Sequence, residues 1–118
     1  MTTTDKLLER LVKRVNQTGI FFDITIVVGG SMYTGRLCPR ANWLDGNIGV
    51  LNQIDELKDF VDDFAQEGAA TDPESYVHLS QTRQVFGNNL LPNQGGAFRV
   101  PIAQVQGWML GHMKSVDN

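Results

Sequence analysis

A chain of 118 residues, 42% apolar and 19% charged, holds enough material for one hydrophobic core and is too apolar for a disordered segment. Ten Lys/Arg against 13 Asp/Glu leave a net charge of −3, a balance that argues against a general nucleic-acid binder. The one cysteine, Cys38, cannot close an internal disulfide and points to a reducing, cytoplasmic setting; no apolar run is long enough to span a bilayer, and the first residues lack the unbroken apolar stretch of a secretory signal.

Leu7, Leu8, Leu11, Val12 and Val15 recur at three- and four-residue spacing, which predicts a helix over 4–17. Thr4 is its expected cap, Asp5 suits its positive end, and Gly19 is its terminator. The alternation of Phe22, Ile24, Ile26 and Val28 predicts a strand near 21–28, and Gly29-Gly30 a tight turn into a return strand near 32–38. Gly35 marks a bulge in that strand and Pro39 ends its pairing. Residues 40–50 read as a loop turning at Asp45-Gly46. Leu51, Ile54, Leu57, Val61 and Phe64 predict a second helix over 51–67, with Gly68 as its stop. Residues 71–74 form a turn. Strands near 76–86, 97–100 and 107–113 follow, with a turn-forming loop across 87–96, a single helical turn at 102–106 and a polar tail from 114.

This order predicts a single domain over 1–118 of the α+β class. A small, strongly curved antiparallel sheet of five strands, an SH3-like or Sm-like barrel, carries an N-terminal helix and a second helix inserted between its second and third strands. Charge is divided unevenly over it. Residues 51–68 hold 6 carboxylates and one lysine, while residues 5–15 hold 4 bases and 2 acids.

No constellation for catalysis stands out. His78, His112 and Cys38 fall in separate elements without the close pairing of metal ligands. Cys38 sits on a strand, where a thiol is inert when protonated. Ser31 lies between two strands and not in a strand-to-helix elbow. Gly29-Gly30 and Gly95-Gly96 do not open helices, so neither cradles a phosphate. The carboxylates Asp55, Asp59, Asp62 and Asp63 read first as a solvated face, or as a surface complementary to the basic face of the first helix, within one chain or between chains. The chain is therefore expected to be neither an enzyme nor a metal or cofactor protein. Binding candidates remain. Trp43 and Asp45 follow the second strand, where Sm-like proteins place nucleotide-contacting residues. Arg83 and Arg99 flank the 87–96 segment and could face an anionic ligand. Met109 alternates with Trp108 and Leu110, so its face of the last strand is either covered by a helix or open to a partner. An interaction module, an Sm-like RNA-binding adaptor and a small anionic-ligand domain all stay open on these residues.

Two stretches carry a resemblance. One is Asp23-Ile24-Thr25-Ile26-Val27-Val28-Gly29-Gly30, continuing through Tyr33-Thr34-Gly35-Arg36-Leu37. The other is Val77-His78-Leu79, followed by Gly95-Gly96-Ala97-Phe98-Arg99-Val100 and Val105-Gln106-Gly107-Trp108-Met109-Leu110-Gly111. Together they resemble the bacterial gas vesicle accessory protein U family over most of residues 20–113. The resemblance implies a small cytoplasmic, non-shell protein that acts by binding. It would be a homo-oligomer whose partners are itself and the vesicle shell, promoting vesicle clustering, with no active site to carry over.

Overall fold

The computed structural model describes residues 5–70 and 75–113, without the side chains of 67–70 and 93. Helix α1 spans Lys6–Thr18, strand β1 Phe22–Val28, β2 Ser31–Leu37, α2 Arg40–Leu51, α3 Lys58–Ala70, β3 Tyr76–Phe86, β4 Asn89–Pro101 and β5 Val105–Leu110. Short 3-10 turns at Asp55–Leu57 and Ile102–Gln104 precede α3 and β5. Among the described residues, no helix is long and apolar enough to cross a membrane.

The stripe of α1 does what its spacing predicts. Leu8, Val12 and Val15 are buried against Ile24, Ile26, Leu37, Val77, Leu79, Val100 and Ile102, so α1 covers one face of the sheet. Thr4, the expected cap, lies outside the described residues; Asp5 caps the helix. Its Oδ1 accepts from the Leu7 and Leu8 N–H groups at 3.0 and 3.1 Å, and its Oδ2 accepts from Trp108 Nε1 at 2.8 Å. The Trp108 donor, with the helix N–H groups behind it, holds the Asp5 carboxyl below its ordinary pKa. Asp5→Ala is therefore expected to lower the melting temperature by several degrees and to alter Trp108 emission together. An unchanged emission spectrum would show that Asp5 does not anchor the ring.

The hairpin turns at Gly29 and Gly30, with φ of 58° and 80°, the mirror-image turn whose twist matches the flanking strands. The sheet is antiparallel throughout, in the order β4-β3-β2-β1-β5. Register breaks between Thr34 and Arg36, the bulge expected at Gly35. The expected barrel does not close: β4 and β5 stand at opposite edges and do not pair with each other. The chain still passes from one edge to the other through Ile102–Gln104 alone. Four inter-strand gaps span roughly 19 Å in a flat sheet, while the four Cα steps from Pro101 to Val105 reach at most about 14 Å. The sheet must bend to let that connection form, and buried Ile102 fills the inside of the bend.

Three expectations about elements are corrected. Residues 40–50 are helical: burial of Leu44 and packing of Trp43 hold α2 together in spite of Gly46 and Gly49. The helix expected over 51–67 is broken at 52–54, begins at Lys58 and runs past Gly68 to Ala70. The loop expected over 87–96 is mostly strand, because Leu90 and Leu91 pair with Val85 and Gln84. The last strand lies at 105–110, earlier than the expected 107–113. The turn at 71–74 and the tail from 114 lie outside the described residues.

Helices α2 and α3 sit on the face opposite α1. His78 alternates with buried Val77 and Leu79, which point to α1, and its ring lies 5.2 Å from that of Trp43 in α2. Where the helices stop, on β1 and β2, residues 111–113 lie across buried threonines. Thr25 Oγ1 donates to the Gly111 carbonyl at 3.0 Å, Thr34 Oγ1 accepts from Met113 N at 2.9 Å, and His112 Nδ1 meets Asp23 Oδ2 at 2.7 Å.

Candidate functional site

The two binding candidates that the fold brings together are Trp43 and Arg99. Register places Arg99 opposite His78 on the α2–α3 face. Its guanidinium lies 4.4 Å from the Tyr76 ring centroid and 5.2 Å from that of Trp43, so its charge rests on π faces, and among the described residues it pairs with no carboxylate. Trp43 also stacks on Phe64 of α3 at 5.9 Å. Sequence reasoning did not single out His78, Tyr76 or Phe64 for this cluster. The signal was the i, i+4 pair Phe60 and Phe64 together with a tryptophan in a segment read as loop.

The cluster is built around a buried imidazole. His78 is 1% exposed, and burial, followed by the charges of Arg99 and Arg40, pushes its pKa from 6.5 to about 4. It is neutral at pH 7, and its Nε2 and the Trp43 Nε1 are buried without hydrogen-bond partners. Cys38 lies alongside, its Sγ 3.5 Å from the His78 carbonyl. Burial raises its thiol to about 11, against the lowering effects of Ser80 and Arg36, which leaves a protonated, unreactive group.

The other candidates stay apart. Arg83 pairs with Thr34 and Arg99 with His78. Cys38, four residues beyond Thr34, bonds back to the His78 carbonyl, so the two arginines are roughly 13 Å apart along the sheet and do not converge on one ligand. Asp45 is exposed on α2. Met109 pairs with Thr25 on the face that α1 does not cover, and it is exposed. Among the described residues, no group of three His, Cys, Asp or Glu side chains could hold a metal ion.

Two hollows are lined by described residues. A groove of about 370 Å³ runs between α1 and the edge strand β5, lined by Leu7, Arg10, Leu11, Arg14, Trp108 and Leu110. Sequence analysis put Leu7 and Leu11 on the buried stripe and the arginines on the solvent face. The structure shows that they form one wall, because Leu7 is 62% exposed and Leu110 across the groove is 64% exposed. A smaller hollow of about 200 Å³ lies over the β3–β4 hairpin beside Tyr33 and Phe98, whose rings stack at 4.9 Å.

The family model described as gas vesicle protein GvpU-like matches residues 5–113, from the cap of α1 to the end of the segment after β5. The chain belongs to the GvpU-like family. No curated protein and no solved structure matches it. The matched span includes both the α1–β5 groove and the acidic α3, so the surfaces of interest lie within the GvpU-like unit and not in an appended segment. Membership makes this chain a gas vesicle accessory protein.

Proposed function

We propose that this GvpU-like protein is a non-enzymatic cytoplasmic module that clusters gas vesicles by binding both to itself and to the vesicle shell. The observation that carries the reading is the pair of opposed sticky surfaces. Leu7 and Leu110 stand exposed beside arginines at one flank, and Ile54 and Phe60 stand exposed among carboxylates at the other. Exposed apolar side chains rimmed by charge are the usual composition of a protein interface. The Sm-like RNA reading has less support, because Trp43 is already engaged by Phe64, His78 and Arg99 and is not presented to a base.

Sedimentation of the purified chain, alone and with vesicles, tests both halves. The expected result is a weight-average mass that rises with loading concentration and a fraction of the protein that pellets or floats with the vesicles. A chain that stays monomeric and never travels with vesicles would refute the reading.

A further inference from the structure

The structure assigns the α1–β5 groove a specific occupant: the acidic start of α3 from a second copy of this chain. This inference rests on the self-association proposed above and names the surfaces that make it. The groove presents Leu7, Leu11, Trp108 and Leu110 with Arg10 and Arg14 along its rim. Those arginines are one helical turn apart, about 6 Å along the axis. Helix α3 offers the matching arrangement. Phe60 is exposed, Asp59 and Asp63 are likewise one turn apart, and all three fall within about 100° of the helix circumference. Phe60 entering between Leu7 and Leu110 would set the two carboxylates opposite the two guanidinium groups.

Within one chain this contact cannot form, because α1 covers one face of the sheet and α3 packs with α2 over the other. The ion pairs of the two helices agree: among the described residues, Lys6 pairs with Glu9 and Lys58 with Asp55, both local, while Arg10, Arg14, Asp59 and Asp63 make none. Each copy therefore carries a groove and a filler on opposite sides. A contact between unlike surfaces that face away from each other joins copies head to tail, and where the rotation between copies does not close a ring it leaves both ends of the assembly open. Growth of that kind suits a module that must bridge many large particles and not merely form dimers.

Charge exchange tests the assignment. Arg10→Glu with Arg14→Glu reverses the rim, and Asp59→Lys with Asp63→Lys reverses the filler. All four positions are solvent-exposed, and far-ultraviolet dichroism with thermal melts checks that each variant folds. Sedimentation velocity of the full chain is then run on the wild type, each double variant, and their equimolar mixture. The expected result is that each double variant alone weakens association on the order of 100-fold, because like charges now face each other, while the mixture regains it. Double variants that each associate as strongly as the wild type overturn this interface and leave self-association standing. Wild-type chain that is monomeric at every loading overturns self-association itself. Loss of association in both variants without recovery in the mixture also overturns the pairing, since each surface would then act with a different partner. Because the two variants lie on separate helices, failure of one to fold leaves the other to decide.

Discussion

Gly95→Ala is expected to lower the free energy of unfolding by about 3 kcal/mol, while Gly96→Ala next to it has a far smaller effect. A Cβ at Gly95 would lie 2.2 Å from the carbonyl carbon, 2.4 Å from the carbonyl oxygen and 2.6 Å from the Cα of Gln81. Those are backbone atoms, which cannot swing aside as the end of a long side chain can. Gln81 is itself held at φ 53°, a conformation that a residue with a side chain adopts only when its surroundings require it. Register between β3 and β4 slips on both sides of this point, between Leu79 and Thr82 and again between Thr82 and Gln84. Gly95 is thus the close approach that lets β4 follow the bulge of β3. At Gly96 a Cβ meets nothing within 4 Å and φ is not positive. Urea unfolding of the two variants measures the difference. Equal losses at 95 and 96 would mean that the bulge is not a fixed feature of the sheet.

The parts of the fold that could be read from sequence are those specified by near neighbours. Helix α1 needs only its own three- and four-residue spacing, and the β1–β2 hairpin needs only alternation and two adjacent glycines. Helix α2 and strand β4 were hidden because their local chemistry opposes them. Gly46 and Gly49 lower the helix propensity of α2, and burial of Leu44 with the stacking of Trp43 on Phe64 overrides it. Asn89, Pro92, Asn93 and Gly95 read as turn residues, yet they lie in β4, which pairs with β3 across the bulge. The surfaces were harder still. Trp43 and Arg99 were each singled out, but only the register of His78 with Arg99 brings them together. The groove joins Leu7 and Arg10 to Trp108 and Leu110, residues from the two ends of the chain that no spacing rule connects. The charge asymmetry between residues 5–15 and 51–68 was visible from the start; only the placement of α1 and α3 on opposite faces shows that the two do not meet within one chain.

Acidification from pH 6.5 toward pH 4 is expected to remove about 3 kcal/mol of stability through His78 alone. Burial, with Arg99 and Arg40 adding to it, lowers its pKa in the folded chain to about 4, while the unfolded chain keeps the ordinary value near 6.5. Above pH 6.5 the imidazole is neutral in both states and contributes no slope. Between the two values the unfolded state binds a proton that the folded state refuses, so unfolding is favoured as pH falls. Below about pH 4 the folded state is protonated as well and this contribution levels off. The cost has a clear structural source: an imidazolium at this position would be buried beside the Trp43 ring and two guanidinium groups, and its Nε2 has no hydrogen-bond partner among the described residues. Urea unfolding at half-unit steps from pH 4 to 8, on the wild type and on His78→Leu, isolates the effect. The variant should lose the slope between pH 6.5 and 4 while keeping the acid loss that belongs to carboxylates such as Asp5, whose stabilisation is present above its ordinary pKa and disappears only at lower pH. The same slope in both proteins would place the acid sensitivity elsewhere. Because His78 tethers the α2–α3 layer through Trp43, its protonation should loosen that layer and the acidic start of α3 first, so acid should weaken the proposed association of copies before the chain unfolds as a whole.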